Sequence, residues 1–475
     1  MNERNTEVII SAGIDIGTST TKLVISRLSL RNTAGMTHMP RIEITDKEVI
    51  YESPIFRTPL REGKEIDMEK VDGIVREQYE KAGIQSSDIQ TGAVIITGET
   101  ATKSNAKEMV SHLSDHAGKF LVATAGPELE SIIAAKGSGA FEMSKKTNKT
   151  IANIDIGGGT ANTAVYQYGK LVGTCTLHVG GKLIEFDDES INYIAPVVKE
   201  VNEKLGLDLT EGAQPQEKKL SELTNYMATV VHKMLDGELE EDEPLLLGSL
   251  PEWTKPIDVV MFSGGVAECI YYPEDCRSDD LYNDIGVSLA ESLVADPHLQ
   301  QKEWTTPEET VRATVLGAGT QTTEISGATI QVDPETLPLR DMPVHMIDFN
   351  EEFESVLADM SAHIQSGSRV FDPHQEGITM AIYLSDLPLL GFKDIQRLSK
   401  TLVEAHCQHL PAQPLVIILE KDLAKSLGQA IQVLEGEREM VCIDQIKVEN
   451  GDFLDIGSRL DSGVVPVVIK TLTFH

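Results

Sequence analysis

The chain has 475 residues, 41% of them hydrophobic, enough for two or three domains with aliphatic cores; Trp253 and Trp304 are its only tryptophans. Lysine and arginine number 41 against 75 aspartate and glutamate, and the resulting −34 repels a phosphate backbone and argues against nucleic-acid binding. Cys175, Cys269, Cys276, Cys407 and Cys442 form no CxxC pair and read as reduced thiols, and no apolar run reaches the ~18–20 residues that cross a bilayer.

Polar Met1–Glu7 has no apolar signal core, so a soluble, cytoplasmic protein is expected. Residues 7–26 then read as a hairpin. Its first strand ends Gly13-Ile14-Asp15-Ile16, turns through Gly17-Thr18-Ser19-Thr20, and returns as Lys22-Leu23-Val24-Ile25. Alternation over 41–66 predicts further antiparallel strands. Asp67 is placed to cap a helix through Lys81 that Gly83 ends. A strand Ala93–Glu99 should feed a helix from about Ala101 to Leu113, and a second strand, Phe120–Gly126, a helix from Pro127 that stops at Gly137. At Ile151-Ala152-Asn153-Ile154-Asp155-Ile156-Gly157-Gly158-Gly159-Thr160 the opening hairpin pattern recurs, followed by Thr163-Ala164-Val165-Tyr166. Beyond the loop Val179-Gly180-Gly181-Lys182, residues 190–245 read as helical with breaks at Gly206 and Gly212. Val259–Ser263 is a buried strand opening through Gly264-Gly265 into a helix, and Thr310–Leu316 a helix with a small-residue stop at Gly317-Ala318-Gly319-Thr320. Pro334, Pro338 and Pro343 suggest a linker. After it come strands at 377–383 and 414–419 around an amphipathic helix Phe392–His409, and a last β segment Asp455–Phe474.

The repeated hairpin is the informative feature. A tight glycine turn lets backbone N–H groups approach an anion, with Thr and Ser hydroxyls beside them. An aspartate at each strand end can hold a hydrated Mg²⁺ through its waters. Two such turns facing each other would clamp a polyphosphate. The alternative at each aspartate is an Asx turn capped by its own carboxylate, a reading that two matching hairpins weaken.

The order of these signals resembles the superfamily of actin, the large heat-shock chaperone ATPases and the sugar kinases. Asp15–Thr20 is similar to its first phosphate motif, Asp155–Thr160 to its second, and Ser263-Gly264-Gly265-Val266-Ala267 to its adenosine motif. The two interdomain connections resemble the 97–113 and 126–137 regions, singly or together, and Leu316–Gly319. The resemblance implies an α/β fold: duplicated actin-like (ribonuclease H-like) ATPase lobes at 1–150 and 151–333, with a C-terminal α/β or α+β module at 334–475. Within the superfamily the chain resembles the ethanolamine ammonia-lyase reactivating factors of bacterial ethanolamine utilisation. The residues that carry this are Ile96–Lys103, Asn153–Asn162, Gly451–Gly457 and Val465–Leu472.

That family implies an ATP-dependent, chaperone-like activity. It frees inactivated ethanolamine ammonia-lyase of damaged cobalamin so that intact adenosylcobalamin can bind. The expected partners are the lyase and ATP or ADP, without nucleic acid or membrane, in the cytoplasm beside a bacterial microcompartment; homo-oligomerisation is left open. Adenosylcobalamin is the lyase's requirement, and the scattered Met and Cys residues suggest no corrin site here. ATP and Mg²⁺ are the expected cofactors. Asp15 and Asp155 are the expected catalytic carboxylates and outer-sphere metal holders. Gly17, Thr18, Ser19, Thr20, Gly157, Gly158, Gly159 and Thr160 would bind phosphate. Lys22 joins them, its alternative being a solvated charge at a strand edge. Glu99 and Glu128 compete to orient the attacking water, and either could instead be an acid favoured by a helix N-terminus. Gly180 and Gly181 would close on the terminal phosphate. Ser263, Gly264 and Gly265 would pack on the adenosine, with Glu268 reaching the ribose. A small-molecule kinase of the same fold is the alternative function, though no segment clearly supplies its carboxylate base.

Overall fold

The computed structural model describes residues 7–17, 20–34, 41–61, 65–96, 121–124, 127–187, 190–276, 283–307, 309–320, 323–350, 352–372, 377–436 and 438–470. Strand β1 (Glu7–Ile16) pairs antiparallel with β2 (Thr20–Asn32), and β3 (Ile42–Glu52) continues beyond β2. On the other side β4 (Ile89–Ile96) and β5 (Leu121–Thr124) run parallel to β1, giving the order β3-β2-β1-β4-β5. Alternating apolar residues of this sheet (Ile14, Ile16, Leu23, Ile25) meet Val71, Val75 and Tyr79 of helix α1 (Met68–Ala82) in one core. As predicted, Asp67 caps α1 by accepting Lys70 N, and Gly83 ends it at φ 69°, where a side chain would be strained.

Helices α2 (Pro127–Gly137) and α3 (Ala140–Lys146) lead into β6 (Thr150–Ile156), β7 (Ala161–Gln167) and β8 (Lys170–Leu177), again an antiparallel trio. A small ribbon of β9 (Ile184–Asp187) and β10 (Ser190–Ile194) follows, then α4 (Pro196–Leu205) and α5 (Glu217–Asp236). The helix expected from residue 190 therefore starts at Pro196. Ser190–Ile194 pairs with β9 and buries Ile191 and Ile194, a contact that local propensity does not foresee. Short β11 (Leu246–Leu247), then β12 (Val259–Ser263), α6 (Gly265–Tyr271), α7 (Gly286–Ala295) and β13 (Glu303–Trp304) complete the lobe. Its order, β11-β8-β7-β6-β12-β13, repeats the first lobe's antiparallel trio with parallel strands on the far side. The fold is thus the expected duplicated actin-like topology.

Helix α8 (Ala313–Thr320) packs on β1, β2 and β4 of the first lobe, while α2 lies on β6, β7 and β8 of the second. The two helices cross where Gly137 meets the α8 backbone and Gly317 meets α2. A Cβ on Gly137 would stand 1.8 Å from Ala313 O, and one on Gly317 2.1 Å from Ile133 O. Gly317 and Gly319 lie inside α8 rather than ending it, and at Gly317 the close approach of α2 favours glycine despite its helix-breaking tendency.

The last sheet contains β14 (Thr323–Ile325), β15 (Gln331–Val332), β16 (Leu339–Asp348), β17 (Ala381–Ser385), β18 (Leu415–Leu419), β19 (Met440–Ile443), β20 (Phe453–Ile456) and β21 (Pro466–Lys470). Their order is β14-β21-β20-β16-β17-β18-β19-β15, with β16 to β19 parallel. Helices α9 (Phe353–Phe371), α10 (Phe392–His409) and α11 (Ala424–Leu434) form the crossovers, α10 with the bounds expected from its apolar stripe. β14 and β15 lie before residue 334, where the sequence reading starts this module, yet they hydrogen-bond into its sheet as short edge strands. The expected proline linker is instead a 3-10 turn at Pro334–Thr336 leading into β16, with Pro338 just before the strand and Pro343 inside it. Pro343 fits there because pairing with β17 begins only at Val344, so its missing N–H breaks no bond on that side. The last β segment is two antiparallel strands, β20 and β21, joined by a turn. The module is fastened to the first lobe. Thr91 and Thr323 hydroxyls meet at 2.9 Å, the Glu7 carboxylate accepts Asp461 N and Ser462 N, and Ile325 and Leu460 pack on Ile9, Leu28 and Leu30.

Candidate functional site

The two hairpin turns close by the same bond: Gly17 N donates to Thr20 O at 2.9 Å and Gly157 N to Thr160 O at 3.0 Å. These N–H groups are therefore engaged within the turns and do not point at a ligand. Gly181 N and Lys182 N are engaged too, donating to Gly157 O at 3.1 Å and Gly158 O at 2.7 Å. The 180–182 loop thus braces the second turn from behind. A Cβ on Gly180 would lie 2.4 Å from Gly158 O, so glycine is required there by the protein's own backbone. Gly157 and Gly159 differ: a Cβ on either would meet nothing within 4 Å. That side of both residues faces open space. Thr160 is set by Asn162, whose amide donates to its hydroxyl at 3.3 Å while accepting from Thr176.

Asp15 and Asp155, ending β1 and β6, are each 5% exposed. Lys22, directly opposite Asp15 in the ladder, lies 3.7 Å from its carboxylate and donates to Val311 O at 2.9 Å, with its side chain 12% exposed. The reading of Lys22 as a solvated edge charge does not hold, because the α8 approach buries that edge. Asp155 accepts from Ser263 Oγ at 2.6 Å and from Thr314 Oγ1 at 3.3 Å. Burial raises the proton affinity of Asp155. The Ser263 hydrogen bond and the Lys22 charge oppose this, the Asp15 charge adds to it, and Thr314 opposes it. The two hairpins therefore bring their carboxylates within electrostatic reach of each other and of one lysine. A divalent cation would relieve this buried negative charge. Among the described residues no group of three or more His, Cys, Asp or Glu converges on a metal position, so such an ion would meet two carboxylates and its own waters.

Ser263 is fully buried, held between Asn153 Nδ2 at 3.0 Å and Asp155. A hydroxyl so placed is engaged with Asp155, whose carboxylate it orients. Gly264, at φ 87°, donates to Thr310 O at 3.0 Å, and its Cβ would collide with Ile156 O at 2.4 Å. Only Gly265 of this motif faces open space. Glu268 accepts from the Thr310 hydroxyl at 2.6 Å. Glu128 sits half-buried in the first turn of α2. Thr18, Ser19 and Glu99 lie outside the described residues, as do residues 97–113 of the expected first connection; Thr20 begins β2.

The sequence reading missed the segment Thr310–Thr314. It touches Glu268, Gly264 and Asp155 of the second lobe through Thr310 and Thr314, and Lys22 of the first through Val311 O. Arg312 donates to Ser53 O at 3.1 Å and pairs with Glu52 at 3.5 Å, both in the first lobe. No spacing in the sequence announces such a strap, since the contacts that tie it to the two lobes are all long-range. Asp284 was missed as well. It accepts Gly286 N at 2.7 Å beside Gly181, and burial pushes its carboxyl up to about 6 despite that bond and nearby Lys182.

A family model described as "Ethanolamine utilisation protein EutA" matches residues 7–475. The chain is 37% identical over 476 residues to "Ethanolamine ammonia-lyase reactivase EutA" of Escherichia coli (strain K12), covering 99% of each. It is 35% identical over 475 residues to the protein so named in Salmonella typhimurium (strain LT2), again covering 99% of each. Among solved structures, the Aquifex aeolicus member of the Ppx/GppA family is similar over 66% of this chain and 97% of its own, at 15% identity and a TM-score of 0.41. Two full-length likenesses and a matching family model agree: the chain belongs to the EutA family of ethanolamine utilisation proteins.

Proposed function

We propose that the protein is an ATP-driven reactivating factor for ethanolamine ammonia-lyase, releasing damaged cobalamin so that intact adenosylcobalamin can bind. The observation that carries the nucleotide site is the convergence of Asp15, Asp155 and Lys22 between two hairpins whose second turn has an open glycine cradle. Family membership supports the partner. Mg²⁺ held through its waters by Asp15 and Asp155 would neutralise charge developing on the phosphates. Lys22 would steady the phosphate on the first-lobe side, and Thr160, oriented by Asn162, would donate to it from the second. Gly265 leaves room for the adenosine. Glu128 and Glu99 stay candidates for orienting the attacking water.

Hydrolysis would change the angle between the lobes about the α2–α8 crossing, and the lyase would feel that change. A nucleotide can shift such an equilibrium only by its differential affinity for the two states, so lyase affinity should differ between ATP and ADP. The work would take place in the cytoplasm, beside the ethanolamine microcompartment. The test is recovery of activity in cyanocobalamin-blocked lyase with ATP, Mg²⁺ and adenosylcobalamin. Asp155→Ala should abolish recovery while leaving the fold intact; undiminished recovery in that variant refutes the assignment of the site.

A further inference from the structure

The loop between β17 and α10 presents Pro388, Leu389, Leu390, Gly391 and Phe392 in succession. Leu389 is 97% exposed and Phe392 74% exposed, whereas Leu387 is buried and Leu390 is half-buried against the module's core. The loop is not a loose tether. Asp386 accepts from Asn350 Nδ2 at 3.3 Å, the Lys421 ammonium donates to Leu387 O, and Gly391 N donates to Asp394 at 3.1 Å. Fixed backbone thus holds two large apolar side chains out in water. Two large apolar side chains held out together on one rigid tip oppose solubility unless another surface covers them. Burying this Leu and Phe in a partner would take their apolar surface out of water.

We propose that this tip is where the C-terminal module grips its partner, and that the partner presents an apolar pocket rimmed by lysine or arginine. The charge argument comes from the surroundings: Asp348, Asp386 and Asp394 flank the tip, on a chain of net −34. Lys421 is turned inward onto Leu387 O and Lys393 is the one cation in the exposed run, so the local field is acidic. Resting on the function proposed above, the occupant is ethanolamine ammonia-lyase. The tip lies in a module separate from the nucleotide lobes, so it can dock without occluding the ATP site.

The experiment compares the full-length wild type with the double variant Leu389→Ser/Phe392→Ser. Lyase binding is measured by calorimetry or sedimentation, and ATP hydrolysis is measured in parallel. The expected result is lyase binding weakened at least about tenfold, as for removal of an interface anchor, with hydrolysis and denaturation midpoint unchanged. Wild-type binding should also weaken as salt rises. Equal lyase binding by variant and wild type overturns the proposal and leaves the proposed function standing. A wild-type dimer that the variant abolishes, with lyase binding intact, overturns it in favour of a second copy of this chain. A wild type that neither binds nor reactivates the lyase overturns the proposed function itself.

Discussion

Gly137→Ala tests whether the crossing of α2 and α8 is a tight joint between the lobes. The added Cβ would lie 1.8 Å from Ala313 O and the neighbouring contact, Gly317 N, is at 2.8 Å, both backbone atoms that cannot rotate away. Relaxed carbon contacts sit at roughly 3.5 Å, so the helices must part by about 1.5 Å. Overpacking by one methyl commonly costs about 1–3 kcal/mol; with backbone as the obstacle the upper half of that range is expected, or roughly 30- to 150-fold in a folding constant. Gly317→Ala, whose Cβ would stand 2.1 Å from Ile133 O, should cost a similar amount. The double variant should cost less than the sum, because one separation of the helices relieves both collisions. Urea unfolding followed by fluorescence gives the midpoints, and ATP turnover in the same samples reports on the cleft. Since a multidomain chain need not unfold in one step, midpoints of each resolved transition are compared. Wild-type midpoints in both single variants would refute the close crossing; strict additivity in the double would refute a single shared contact.

Two further outcomes follow from the site. Ser263→Ala removes the 2.6 Å hydrogen bond that favours the Asp155 carboxylate, so its proton affinity should rise further and the acid limb of the ATP-hydrolysis profile should move to higher pH; an unmoved limb means that Asp155 does not control it. Asp284, pushed up by burial to about 6 from 3.8, contributes stability that is full below about pH 4 and lost as pH rises through 6. Asp284→Asn should flatten that part of the stability profile by no more than about 3 kcal/mol, read from urea midpoints between those pH values. Part of the slope should survive, because burial raises Asp444 to about 6 as well. A slope identical to wild type would remove Asp284 from the account.

Local rules carried much of the fold. The Asp67 cap and the Gly83 stop bracket α1 where expected, and the amphipathic stripe of 392–409 marks α10 to the residue. The duplicated hairpins were legible because their glycine turns and β-branched returns are contiguous in sequence. What stayed hidden depends on partners far along the chain. Ser190–Ile194 is a strand only because β9 lies beside it, and Pro343 is tolerated only because its neighbour pairs one residue later. The same holds for the site. Its two aspartates were visible, but the burial of Lys22, the role of Ser263 beneath Asp155 and the Thr310–Thr314 strap arise from contacts spanning up to 289 residues. Nor does sequence tell two kinds of glycine apart: Gly180 and Gly264 are demanded by the protein's own carbonyls, whereas a Cβ on Gly157, Gly159 or Gly265 would meet no protein atom within 4 Å.

Because Glu7, Thr91 and the apolar faces of Ile9 and Leu30 tie the last sheet to the first lobe, any change in lobe angle would have to carry those two bodies as a single plate. On the function proposed above, the second lobe would be the swinging door, hung on a pair of glycines. A partner with one hand on the plate and the other on the door would then be pried apart as the door turned.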